Sequence, residues 1–276
     1  MAVLLSLVTS VLYGSGDFLG GLSSRRNTQT QVLLTVSLFG TLPLLCVTPF
    51  IAANFTFRDL SLGALAGILG AGGLGIFYRG LARGPMSLVA PLAAITSAVV
   101  PVTWDVATGE QPSFVCGVGI VLALIAIFMV SAGHPGSDLP VSTATVLEAL
   151  LAGVGFGLFF CVLGETNSES APWPIVAGRT SAAALLLVGA AVRKASIKPV
   201  GDWLPLLGCS VCDTGANVAF LFALKYGQLA PVAVLASLYP AVTVLLARFV
   251  LSEHLNRRRI VGLWVTLGAV ALVAVG

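Results

Sequence analysis

Residues 229–251 read LAPVAVLASLYPAVTVLLARFVL, a run whose only charge is Arg248. A helix rises 1.5 Å per residue, so about 20 apolar residues carry it across a ~30 Å hydrocarbon layer. The run has that length and lacks the polar–apolar alternation of a barrel strand. At its middle stand Tyr239 and Pro240. A proline there removes an amide hydrogen and crowds the preceding turn, which predicts a kinked membrane helix that frees a backbone carbonyl and presents the tyrosine hydroxyl.

Working outward from this span, nine more of similar kind follow one another with short loops: 3–22, 32–53, 60–78, 86–106, 114–132, 145–164, 173–192, 203–224 and 259–276. The fold class is therefore an all-α integral membrane protein with ten transmembrane helices, because in lipid only a helix or a closed barrel pairs all its own backbone groups. Composition agrees. Hydrophobic residues make up 57% of the chain and charged residues 9%, against ~25% charged in a soluble domain, and the mean hydropathy is +1.02. No stretch is left for a soluble domain. The start lacks the basic segment and small-residue cleavage site of a signal peptide, so the first span is expected to be retained. The longest connections, 133–144 and 165–172, hold the Gly, Pro, Ser, Asp and Asn of turns in water.

A shift of 143 residues lays Leu81, Gly84, Val89, Ala90, Leu92, Ala93, Val99, Glu110, Val118 and Gly119 on Leu224, Gly227, Val232, Ala233, Leu235, Ala236, Val242, Glu253, Val261 and Gly262 without a gap. Apolar coincidences are cheap in membrane helices, whereas two loop-and-cap glycine pairs and a glutamate pair are less so. We read two five-helix repeats, 1–138 and 139–276, as one membrane domain with a cavity between the halves. An odd number of spans per half inverts the second copy, and the basic residues agree. Arg25, Arg26, Arg79, Arg83, Arg193, Lys194, Lys198, Arg257, Arg258 and Arg259 all fall at one end of the bundle, while only Arg58 and Lys225 occupy loops at the other. The positive-inside rule then expects a multi-pass protein of the cell (inner or plasma) membrane, both termini outside the cytoplasm.

Three stretches carry a resemblance: Tyr13-Gly-Ser-Gly-Asp-Phe-Leu-Gly-Gly21 in the first span, Gly80-Leu-Ala-Arg-Gly-Pro-Met86 after the third, and Tyr226-Gly-Gln-Leu-Ala-Pro-Val232 leading to Tyr239-Pro240 and Glu253. Over the whole chain the sequence resembles the ten-helix EamA-type members of the drug/metabolite transporter superfamily, in particular the aromatic amino acid exporter branch. The resemblance implies a secondary transporter with a central cavity, often an exporter of amino acids, other metabolites or drugs. The chain departs from the family pattern at Ser97, which stands where the second half has Pro240. Its charge bias also departs from the cytoplasmic termini described for many relatives.

An ionisable group inside the bilayer costs roughly 2.5–3.5 kcal/mol on insertion scales, so each asks for a reason. Asp213 lies midway along the eighth span, and Asn217 one turn later shares its face. The pair either contacts a solute or holds neighbouring helices by hydrogen bonds. Asp17 is either a proton-linked carboxylate, a role for which Asp213 is also a candidate, or a partner of Arg25 or Arg26. Arg179 offers its fork of donors to a solute carboxylate, or salt-bridges Glu165 or Glu169. Asp105 and Arg248, equivalent under the shift, stand near span ends and read as structural, Arg248 snorkelling to the basic loop. The helices of Tyr78 and Trp104 flank the central site in the family, which adds these residues and Tyr239 to the candidate substrate contacts. Pro91, Pro101 and Pro240 are candidate hinges.

No Gly-x-x-x-x-Gly-Lys-Ser/Thr loop is present, so no nucleotide powers the protein, and no cofactor is implied. His134 and His254 stand in loops without His-Glu-x-x-His spacing, and no metal site is read; Cys46, Cys116, Cys161, Cys209 and Cys212 lie in apolar segments as packing residues. The net charge of +3 gives nucleic acid no patch to bind. The partners expected are the lipid bilayer and a small-molecule solute, with no oligomer required. An enzyme finds no nucleophile and base here, and a channel no continuous polar row. What remains is a secondary transporter working by alternating access, exporting small neutral or amphipathic metabolites such as amino acids, with efflux of lipophilic drugs as the alternative.

Overall fold

A computed structural model describes residues 1–24, 26–50, 56–83, 86–110, 112–131, 142–201, 203–251 and 257–275. Among these the secondary structure is helical, without a strand: α1 (Ala2–Ser23), α2 (Gln29–Val47), α3 (Phe57–Arg83), α4 (Met86–Thr108), α5 (Phe114–Ser131), α6 (Thr143–Gly164), α7 (Trp173–Val192), α8 (Trp203–Leu224), α9 (Leu229–Ala236), α10 (Tyr239–Val250) and α11 (Arg257–Val275). Six segments are long and apolar enough to cross a bilayer, α9 and α10 counting as one, and four shorter apolar helices complete ten spans. Large apolar side chains such as Val121, Val188, Val211 and Trp264 face outward, as a hydrocarbon solvent requires.

Polar residues at the loops start the helices. Thr28 and Gln31 form a reciprocal capping box on α2, Ser142 accepts from the Thr145 amide on α6, and Thr56 does the same for Asp59 on α3. Asp59 also ties two loops together. Buried to 1% exposure, its carboxylate accepts from the Asn167 amide at 2.9 Å and the Ser170 and Thr56 hydroxyls at 2.5 and 2.7 Å. At the basic end Asn27 and Gln31 make the corresponding clip, accepting from the Val200 amide at 2.6 Å and donating to the Lys198 carbonyl at 2.8 Å.

The ninth span is broken rather than kinked. α9 ends at Ala236, Ser237 and Leu238 form a turn, and α10 begins at Tyr239. The break lies just ahead of Pro240 because its ring crowds the carbonyl four residues earlier, at Ala236, and its nitrogen has no hydrogen to offer it. In contrast α4 runs as one helix through Pro91 and Pro101. The proline effect seen in the second half has no match in the first, where Ser97 holds the position.

The packing repeats with the sequence. Helices α4 and α9 begin at Met86 and Leu229, and α5 and α11 at Phe114 and Arg257, each pair 143 residues apart. α1 packs along α8 as α6 packs along α3, and α6 lies against α4 as α1 lies against α9 and α10. Three pairs, α2–α7, α4–α9 and α5–α11, join equivalents across the halves. The last is reciprocal at single residues: a Cβ on Gly119 would meet Val273 at 2.8 Å, and one on Gly262 would meet Val130 at 2.8 Å. Val130 and Val273 are themselves 143 residues apart. Only glycine permits this approach, as at other small-residue crossings in membranes.

Candidate functional site

The polar side chains inside the bundle gather where α1 and α2 of the first half meet α7, α8 and α10 of the second. Arg179 on α7 is buried and forms an ion pair with the Asp213 carboxylate on α8 through Nη2. It reaches Asp213 past Gly40 of α2, where a Cβ would run into Thr214 Oγ1 and lie 3.2 Å from Arg179 Nη1. A side chain at position 40 would close that route.

One turn along α8, Asn217 donates to the Asp213 carbonyl at 2.7 Å and accepts from the Tyr13 hydroxyl of α1 at 2.8 Å. The Tyr13 ring stands edge-on to Tyr239 and to Phe160, each at 6.3 Å between centroids. α1 comes this close through its glycines. A Cβ on Gly14 would meet the Tyr239 carbonyl at 2.6 Å, and one on Gly16 the Asp213 amide at 3.5 Å. At the helix break, Thr243 donates to the Gly14 and Tyr239 carbonyls at 3.1 and 3.2 Å.

Asp17 lies one turn from Tyr13 on α1 and is accessible to solvent. It nevertheless interacts electrostatically with Asp213 and Cys209 of α8, Tyr239 of α10 and Tyr13. Among the described residues it has no hydrogen-bond or ion-pair partner. Arg25 lies outside the described residues, and the Arg26 side chain rests beside Gly201.

The structure thus brings Asp17, Arg179, Asp213, Asn217 and Tyr239 together and adds two residues not named as candidates from sequence. Tyr13 was quoted only within a motif, although it shares a helix face with Asp17. Phe160 carried no signal beyond its apolarity. The pairing of Arg179 corrects its sequence-based salt bridge to Glu165 or Glu169, because the guanidinium turns inward to Asp213. Trp104 is elsewhere. Its indole donates to Glu165 at 3.3 Å near the loop end of α6, where Glu165 also lies 3.9 Å from Arg58. The side chain of Tyr78 and the whole of Glu253, His134 and His254 lie outside the described residues. Cys209 and Cys212 pack on α1, at Gly20 and Gly16.

At the end opposite the basic loops, Asp105 of α4 is buried and accepts from the Ala230 amide at 2.6 Å. It caps the first turn of α9 from the other half, which explains why an acid is kept there. Val232–Leu238 are buried throughout, whereas in α10 Tyr239, Pro240 and Val242–Leu246 are half-buried.

Residues 143–275 match the EamA-like transporter family. No curated protein matches the sequence. A crystal structure of another protein superposes with a TM-score of 0.81 at 15% identity, covering 99% of this chain and 98% of its own, and so shares its fold. The second half of the chain is therefore similar to the EamA-like transporter family, and it lies within an all-helical bundle whose apolar helices are long enough to cross a membrane.

Proposed function

We propose that the chain is a secondary transporter exporting small neutral or amphipathic metabolites such as amino acids, aromatic ones among them. Alternating access would occur between halves 1–138 and 139–276, a boundary that falls outside the described residues. The observation that carries this reading is the polar constellation of Tyr13, Arg179, Asp213 and Asn217, built by helices of both halves within an otherwise apolar bundle. Charged groups are retained at such depth where they meet a solute or an ion. The broken ninth span beside it supports Pro240 as a hinge, and α4, unbroken, gives Pro91 and Pro101 no such support. The cap of Asp105 on α9 supports a site shut at the end opposite the basic loops. With the basic end cytoplasmic and both termini outside, in the inner or plasma membrane, the solute enters from the cytoplasm.

Asp17 and Asp213 are the groups on which a driving proton would ride. The groups facing Asp17 are Asp213 and Cys209 from α8, Tyr239 from α10 and Tyr13 from its own helix, with Arg179 behind Asp213. The rings of Tyr13, Phe160, Phe159, Phe220 and Tyr239 favour an aromatic solute and equally support the second reading, efflux of lipophilic compounds. No cofactor, nucleotide or second copy of the chain enters this scheme.

The test is flux of radiolabelled phenylalanine in proteoliposomes, with and without a pH gradient. Faster flux than in protein-free liposomes, increased by the gradient, is expected. Equal flux in both conditions removes proton coupling, and flux no faster than in empty liposomes removes amino acid transport.

A further inference from the structure

Resting on the transport reading of the central site, we infer that a second solute site lies at the end opposite the basic loops, in series with the central one. A cavity of about 300 Å³ opens there, where the starts of α1, α5 and α9 meet the end of α11. Both halves wall it, as they do the central constellation. Its volume falls at the lower end of the range for small-molecule sites, roughly 300–1,000 Å³. Val3, Val232, Leu235 and Val273 give it an apolar wall, and the exposed Tyr226 and Gln228 add polar groups. No charged side chain lines it among the described residues. That lining fits a solute with an apolar body and a neutral or zwitterionic end.

Two segments run from the cavity to the central site. On α1, Ser6 lines the cavity and stands two helical turns, about 10 Å, from Tyr13. Ser6, Ser10, Tyr13 and Asp17 recur every three or four residues, so one face of α1 is polar over that distance, with Ser6, Thr9 and Ser10 buried. On the ninth span, Leu235 lines the cavity, Tyr239 belongs to the central site, and the turn of Ser237 and Leu238 separates them. Both ends of the polar face meet that span, Ser6 at the cavity and Tyr13 at the Tyr239 ring. Ser237 Oγ is buried in the turn with no hydrogen-bond partner among the described residues. A buried hydroxyl in that condition calls for an explanation. The polar end of a solute moving between the two sites supplies one.

Equilibrium binding of radiolabelled phenylalanine to the purified full chain in detergent tests this. Two molecules per chain are expected. Val3→Phe, which fills the cavity from its α1 wall, should leave one. Tyr226→Phe combined with Gln228→Ala changes only exposed side chains, so it reads the site even if Val3→Phe does not fold. The double variant should weaken the second molecule by roughly tenfold, the scale of one or two neutral hydrogen bonds, and leave the first unchanged. One molecule per chain in the parent, two in a folded Val3→Phe, an unaltered second affinity in the double variant, or no binding at all overturns the inference. The measurement involves no gradient and no flux. Two bound molecules without flux in proteoliposomes would therefore retain the second site and remove the transport reading, while flux with a single bound molecule would do the opposite.

Discussion

Take the carboxylate of Asp213 away and the buried guanidinium of Arg179 is left without its counter-charge. Asp213→Asn is expected to lower stability by roughly 1–3 kcal/mol, read as an earlier thermal transition of the purified protein in detergent. Replacing both partners together by apolar residues, Arg179→Met with Asp213→Leu, should recover most of that loss, since neither side chain then needs a partner in the bundle. An unchanged transition in Asp213→Asn would show that the pair carries no structural weight. Sequence picked out both residues, because a charge inside an apolar run is conspicuous, and it set Asn217 beside Asp213, but it did not pair Arg179 with Asp213. Spacing within a helix fixes a shared face, as for Asp213 and Asn217. It does not fix how far two helices are rotated about their own axes, and that rotation sets Arg179 on Asp213 and Tyr13 on Asn217. Trp104 stands apart from this cluster, its indole donating to Glu165 near the loop end of α6.

Helices were the most legible level, because the length of an apolar run is set by the bilayer and needs no tertiary knowledge. α3 departs by continuing to Arg83 instead of stopping at residue 78, since a helix does not have to end where the hydrocarbon does, and α2 departs by ending at Val47, ahead of a 3-10 turn at Thr48–Phe50, short of the expected residue 53. The break in the ninth span was legible in Pro240, though its position a few residues earlier follows from where the ring clashes. What sequence left open was why Asp105 is acidic, and the answer belongs to another helix. Asp105→Ala is expected to loosen the start of α9 by about 1 kcal/mol, the usual worth of an N-terminal cap. Hydrogen exchange at the first-turn amides of α9 should accelerate in that variant, and much less in Asp105→Asn, which keeps an acceptor oxygen. Equal exchange in Asp105→Ala and the parent protein would dismiss the cap.

For the molecule as a whole, the match in sequence between residues 81–119 and 224–262 coincides with equivalent helix starts at Met86 and Leu229 and at Phe114 and Arg257, and with the Gly119 and Gly262 contacts of α5 with α11. Its inversion predicts topology. Cysteines placed at Arg26 and Arg258 should react with an impermeant thiol reagent from the same side of the membrane, and cysteines at Arg58 and Lys225 from the opposite side. Labelling of positions 26 and 258 from contrary sides would end the inverted-repeat reading.

The α5–α11 seam, where Gly119 meets Val273 and Gly262 meets Val130, is its own image when the halves trade places. α4 against α9 is not, since Asp105 has Arg248 as its counterpart. During the proposed exchange the first contact keeps its shape in either posture and behaves as a spindle, whereas the second must let go on one side and cannot re-form in kind on the other. On that proposal the two postures would not be equivalent, because only one of them holds the Asp105 cap on α9.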